Sequence, residues 1–281
     1  MSSGEPKDRT VTFRITDLKE VYVMAYQTVF ARTEKKFLVT GEQYMAMKQV
    51  LRMHGFEHMD FPDDNTCSIY FDTKDYLLAR RSIERPVYKE KFRLRTYGAR
   101  AESGDVAFPE IKKKYDHVVY KRRIQMTYGE AYECLLQGSV PESFGQIGRE
   151  ISHMFELYPG LQPSALIAYR RDPYLAPGGI DLRVTFDHDI RFRKDRLDLR
   201  YGSDGIRIFP EDMFIMELKL PGVFPKWMAD AIWSLGIEPT HFSKYGEAYR
   251  RFLRPGAEEN LKTELKYTDL KTKQEVFHHV A

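Results

Sequence analysis

Cysteine is scarce in this chain. Cys67 and Cys134 are the only two in 281 residues and stand far apart without C-x-x-C spacing, which excludes a disulfide framework and a cysteine-based zinc site. Long apolar runs are missing as well: none approaches the ~20 residues that cross a bilayer, and residues 1–10 are polar with no hydrophobic leader. The expectation is a cytoplasmic protein with no direct membrane insertion. Nor is there an excess of one charge. The 44 Lys and Arg face 41 Asp and Glu, a net +3, so no bulk field draws the chain to nucleic acid or anionic lipid, and any anion site must be built locally. No Walker A sequence or G-x-G-x-x-G follows a strand pattern, which argues against P-loop or kinase chemistry.

What is present is ample material for a core, with 42% hydrophobic and 14% aromatic residues. No Gly/Ser linker, repeat or low-complexity block divides it, so one domain is expected over 31–254, between an N-terminal segment, 1–30, and a charged tail, 255–281. In the tail Leu261, Leu265 and Leu270 are spaced to dock part of it. Alternation predicts strands over 32–39, 67–72, 87–97, 108–114, 118–126, 166–171, 182–192 and 214–220. Thr40 with Gln43, Thr127 with Glu130 and Ser143 with Gln146 read as capping boxes opening helices, which Gly55, Gly138 and Gly160 stop. Pro225 opens a further helix and Ser243 another. The fold class is α+β, dominated by antiparallel strands.

The strands alternate in an unusual way. Over 87–97 one face carries Lys89, Lys91, Arg93 and Arg95, while Tyr88, Glu90, Phe92 and Leu94 take the other. Same-face neighbours lie ~7 Å apart, inside the ~8 Å screening length, so such a row repels itself unless an anion offsets it. Shared faces recur with Arg32, Glu34 and Lys36, with Glu110, Lys112 and Lys114, with Lys121 and Arg123, and with Glu217 and Lys219. Closed into a barrel with these faces inward, the strands form a corridor of guanidinium and ammonium groups with a few carboxylates suited to a divalent metal.

For any one strand taken alone, a face exposed to water is the better explanation of the charges. Repetition of one sign across the third, fourth and fifth strands favours the corridor. A nucleic-acid-binding sheet is the rival on charge alone, but Tyr88, Phe92 and Leu94 point away from the cations, as core packing requires. His54 and His58 have helical i, i+4 spacing without the following Glu of a metal helix, and His188 and His241 stand alone; packing or surface roles fit them better. Cys67 and the methionines after Thr40 read as core.

The ordered set RTEKKF at 32–37, SIYFD at 68–72, KFRLR at 91–95, FPEIK at 108–112, YRR at 169–171, Phe186-Asp187, MELK at 216–219 and FSKY at 242–245 resembles the VTC domain of polyphosphate polymerases, within the triphosphate tunnel metalloenzymes. The resemblance runs from about Arg32 to Leu253. It implies a closed antiparallel β-barrel of about eight strands and transfer of the terminal phosphoryl group of ATP to polyphosphate. It further implies that Lys36, Arg93, Arg95, Lys112, Arg171 and Lys244 bind the phosphates. Lys91, Lys121, Arg123 and Lys219 join them on the inward faces. Glu217 would hold Mn²⁺ or Mg²⁺, with Glu34 and Glu110 as further candidate carboxylates, and Lys36, Arg93, Arg95 and Glu217 would carry catalysis. Only the E-x-K remnant Glu34-Lys35-Lys36 of the tunnel triphosphatases' E-x-E-x-K strand is present, which favours polymerase over triphosphatase. Fungal members carry Lys where His241 stands, and also have a phosphate-sensing domain and membrane helices that this sequence lacks. Transport of polymer across a membrane would therefore need a membrane-protein partner, while nucleic acid is not an expected partner. A hydrolase using water in the same corridor and a non-catalytic polyphosphate-binding module are the competing readings.

Overall fold

A computed structural model describes residues 33–264 except Pro62, Arg85, His117 and Phe242. The expectations for 1–30, Arg32, Phe242, Leu265 and Leu270 lie outside the described residues; Leu261 is buried.

A twelve-stranded antiparallel sheet organises the domain. Its longer strands are β1 (Thr33–Thr40), β3 (Asn65–Asp72), β4 (Tyr88–Tyr97), β5 (Val106–Tyr115), β6 (Val118–Arg123), β8 (Gln162–Leu175), β9 (Arg183–Arg193) and β11 (Met213–Leu220). The short pieces are β2 (Glu57–His58), β7 (Met126–Thr127), β10 (Ile206–Arg207) and β12 (Pro239–Thr240). Neighbours run β12-β1-β11-β9-β8-β3-β4-β5-β6, with β10 on β9, β2 on β8 and β7 on β5.

Among the described residues the ladder stays open. β6 and β12 are its two ends, which corrects the expected closed barrel. One edge is only two residues long and begins with Pro239, which has no N–H to extend a ladder. Curvature nevertheless brings distant strands face to face, for Lys112 of β5 reaches Glu34 of β1 at 3.4 Å.

Period-2 alternation then assigns the layers. One half of the convex face packs Phe37, Val39, Val184, Phe186, Met216 and Leu218 under α1 (Gly41–Met53) and α5 (Lys226–Ser234). The other half packs Ile69, Phe71, Phe92, Leu94 and Ile111 under α2 (Leu77–Glu84), α3 (Tyr128–Leu136) and α4 (Gly145–Leu157). On the concave face, Tyr70, Ala165, Ile167, Phe192 and Ile215 pack with Tyr245 and Ala248 of α6 (Lys244–Ala248) and with Phe252 in the π-turn that follows it. That apolar plug fills one end of the cup, and the charged residues line the rest.

Local signals explain most helix boundaries. The boxes at Thr40/Gln43 and Thr127/Glu130 are formed, Ser243 caps α6, and Gly55 ends α1 with φ +72°. The box expected at Ser143/Gln146 is not: Ser143 lies inside a 3₁₀ turn, Glu142–Phe144, after Pro141, and α4 starts beyond it at Gly145 with no side-chain cap. Of the methionines after Thr40, Met47 is buried, but Met45 and Met53 are exposed. The helix α2 has no counterpart in the sequence reading. Its start is capped by Asp72, which accepts from the backbone N–H of Leu78 and Ala79 at 2.8 and 2.9 Å.

Candidate active site: a basic channel in the concave face

Because directly paired residues in a ladder share a face, the register alone assembles the channel. Lys36 opposes Glu217, Arg171 opposes Asp187, Lys91 opposes Lys112, Arg93 opposes Glu110, and Lys112 in turn opposes Lys121. Three sub-clusters result.

The first is centred on Glu217, buried on β11. Lys36 Nζ donates to its Oε1 at 2.7 Å, and Lys219, Lys244 and Arg171 approach at 3.3, 3.6 and 3.8 Å. Burial opposes its ionisation, but Lys36, Lys219, Lys244 and Arg171 outweigh that and hold the carboxyl well below the usual range. Glu34 lies 3.4 Å from Lys36 Nζ. It too is penalised by burial, yet Lys112 and Lys36 hold its pKa down at about 2.

Asp187 forms the second. It is fully buried and accepts two hydrogen bonds from Arg171, at 2.6 and 2.8 Å, and one from Lys244. Lys244 is also 4.3 Å from the Tyr169 ring centroid, and Arg95 Nη2 donates to Tyr169 Oη at 3.3 Å. The sequence reading quoted Asp187 only within a motif and gave it no role. The signal available was Arg171, a buried-strand arginine that needs a carboxylate partner.

In the third, Glu110 is clamped by Arg93 through Nε and Nη2 at 2.9 and 2.7 Å, with Lys121, Arg95 and Arg123 at 2.6, 3.8 and 4.0 Å. Glu110 shares none of these cations with Glu34 or Glu217, so of the candidate metal carboxylates the structure brings Glu34 and Glu217 together and sets Glu110 apart. Arg93 Nη1 donates to Tyr70 Oη at 3.0 Å, and Tyr70 stacks on Tyr245 of the plug. Lys121, half exposed, is lowered to about 8, by burial first and by Arg93 and Arg95 next, against the pull of Glu110.

Lys91 differs from all of these. Among the described residues no carboxylate lies within ion-pairing distance of it. Burial lowers its pKa well below the ordinary lysine value, and Lys112, Lys36, Lys89 and Arg93 push it further the same way. A small cavity between Tyr70, Lys91, Arg93, Glu110, Lys112 and Lys121 marks the space these cations surround.

Glu217 and Glu34 offer carboxylate oxygens, the donor type of a hard divalent cation, while Lys36, Lys219, Lys244 and Arg171 crowd around Glu217 as its present counter-charges. Mg²⁺ and Mn²⁺ are commonly held by one or two carboxylates plus substrate phosphates, and Glu217 with Glu34 fits that pattern. Among the described residues no three His, Cys, Asp or Glu side chains converge into an all-protein metal cage. His54 stacks on Trp227 and His58 bonds Asp60 and Asp172, so the two are not a ligand pair. His241 is exposed. Cys67 is buried, its thiol pushed up to about 12 chiefly by that burial.

A model of the VTC domain matches residues 31–253. No match is found among curated proteins. Among solved structures the chain is similar to a candidate adenylate cyclase of Bacillus halodurans, at 14% identity and TM-score 0.47 over 76% of this chain and 96% of that one. A candidate adenylate cyclase of Vibrio parahaemolyticus follows at 12% identity and TM-score 0.40, covering 75% and 94%. The PH1819 protein of Pyrococcus horikoshii matches at 11% and 0.41, covering 79% and 99%.

Proposed function

Because this chain belongs to the VTC-domain family, we propose that it is a metal-dependent polyphosphate polymerase, transferring the terminal phosphoryl group of ATP to the end of a polyphosphate chain and releasing ADP. The observation that carries the reading is Lys91, which faces Lys112 across the ladder and has no carboxylate within ion-pairing distance among the described residues. A protein that kept such a row for stability alone would bear its repulsion without return. A run of phosphates, one negative charge per unit or more, supplies the missing counter-charge.

The side chains divide the work by geometry. Arg93 and Arg95 present planar guanidinium groups, which bind phosphate oxygens bidentately, while Lys91, Lys112, Lys121 and Lys36 act as compact charges along the chain's path. Glu110 fixes the Arg93 fork through two hydrogen bonds, and Asp187 does the same for Arg171. These contacts align donor and acceptor before reaction, and the enclosed charges stabilise the equatorial oxygens of the transferring group. Arg123, Lys219 and Lys244 extend the field on either side. The acceptor is a phosphate oxygen already ionised at neutral pH, so no general base is needed. Glu217, with Glu34 beside it, would hold Mn²⁺ or Mg²⁺, which when bound would neutralise phosphate charge.

The test is incubation of the purified protein with ATP and Mn²⁺, followed by gel analysis of the products. Long polymer together with ADP is the expected outcome. Free phosphate without polymer identifies a hydrolase instead, and neither product, with tight polyphosphate binding, identifies a binding module.

A further inference from the structure

The row Lys91, Arg93, Arg95 on β4 does not end in another cation. The next residue on the same face is Tyr97, about 7 Å beyond Arg95 by strand geometry and 55% exposed. Its ring meets that of Phe108 edge-on, with centroids 5.8 Å apart and planes at 67°. Phe108 is the partner of Arg95 across the ladder, so both rings stand on the channel side of the sheet. Arg123 lies 4.7 Å from the Phe108 centroid, while its guanidinium also approaches Glu110 at 4.0 Å.

The other aromatic rings on this part of the concave face are already engaged. Tyr70 is stacked on Tyr245 and bonded to Arg93, and Tyr169 is covered by Lys244 and bonded to Arg95. Tyr97 differs in being held at its edge and open to solvent. An aromatic surface at the end of a cation-lined row is of no use to polyphosphate, which has no flat apolar part. The nucleobase of the donor has one. Stacking on a ring is favourable for every base, more so for larger ones, and an adjacent guanidinium adds a cation–π contribution.

We propose that Tyr97, buttressed by Phe108, is the nucleobase platform of the channel: the base of a purine nucleoside triphosphate stacks on Tyr97 while its phosphates run inward past Arg95 and Arg93. This rests on the polymerase reading above. It implies weak discrimination among bases, since stacking reads no base edge, with purines favoured over pyrimidines by contact area.

The experiment compares binding of ATP and of inorganic tripolyphosphate by calorimetry in the wild type, Tyr97→Ala, Tyr97→Leu and Tyr97→Phe. Alanine and leucine variants are expected to weaken ATP roughly tenfold and leave tripolyphosphate unchanged, with the phenylalanine variant close to wild type. Tyr97 is exposed, so folding should survive each change, and equal melting temperatures verify it. An ATP affinity indifferent to Tyr97→Ala overturns the proposal, and so does an equal loss for both ligands, which would mean the ring only shapes the phosphate site. Failure of the wild type to bind tripolyphosphate would instead sink the phosphate-channel reading itself, and the platform with it.

Discussion

Replacing Lys91 by methionine should make the protein more stable and a worse phosphate binder at once. The side chain is similar in length, so the change removes the charge and little else. On β4 its same-face neighbours Lys89 and Arg93 are each about 7 Å away along the strand, and Lys112 sits directly opposite on β5. At an effective dielectric of about 20, two unit charges ~7 Å apart repel by about 2 kcal/mol. Glu110 offsets part of this through Arg93, and Lys91 can relieve itself by losing its proton, so a net gain of about 1 kcal/mol is the expected size. For a domain of this length that is roughly 2–4 °C in melting temperature. A lost charge-assisted contact costs about 1.5–3 kcal/mol, roughly 10- to 150-fold in affinity. Thermal unfolding with and without tripolyphosphate reads both quantities: the apo midpoint should rise and the ligand-induced shift should shrink. A fall in the apo midpoint with the ligand shift intact would refute the argument, because it would mean that Lys91 has a structural partner and no phosphate to bind.

Glu217→Gln should abolish Mn²⁺-dependent turnover and lower the melting temperature, since Lys36, Lys219, Lys244 and Arg171 lose their common counter-charge; turnover at the wild-type rate would remove Glu217 from the metal site. Asp187→Asn should destabilise the fold by about 3 kcal/mol or more, the usual effect of unpairing a buried ion pair, and a denaturation midpoint equal to wild type would contradict the pairing with Arg171 and Lys244. Lys121 supplies the pH prediction. Its pKa in the free channel is about 8, and bound phosphate raises it, so between the two values binding takes up a proton and affinity falls as pH climbs through 8. Calorimetry of tripolyphosphate binding at pH 8.5 should give heats that depend on the buffer's ionisation enthalpy, and identical heats in different buffers would exclude proton uptake.

Strand positions and face assignments were legible because the period-2 pattern is local: Lys91, Arg93 and Arg95 can be placed on one side of β4 without knowing any partner. Helix starts at Thr40 and Thr127 were legible for the same reason. The box read at Ser143 failed because a 3₁₀ turn after Pro141 competes for the same residues. The sheet's open seam was hidden in a two-residue edge strand, since nothing in Pro239–Thr240 alone says that it borders β1. Pairings between remote strands were equally hidden. Glu217 and Glu110 carry the same side chain and both sit among cations, and only the register shows that one meets Lys36 and the other Arg93. Asp187 became visible only when β8 and β9 were aligned, and the role of Asp72 in starting α2 depends on backbone N–H groups that no side-chain pattern displays.

If the chain is the polymerase proposed above, the helix that packs into the cup bears on where its product would leave. Among the described residues Tyr245, Ala248 and Phe252 fill one end, so a bound chain of phosphates would have no straight path past that end. Under that reading each added unit would push earlier ones back toward the open end, so synthesis would proceed by extrusion instead of threading.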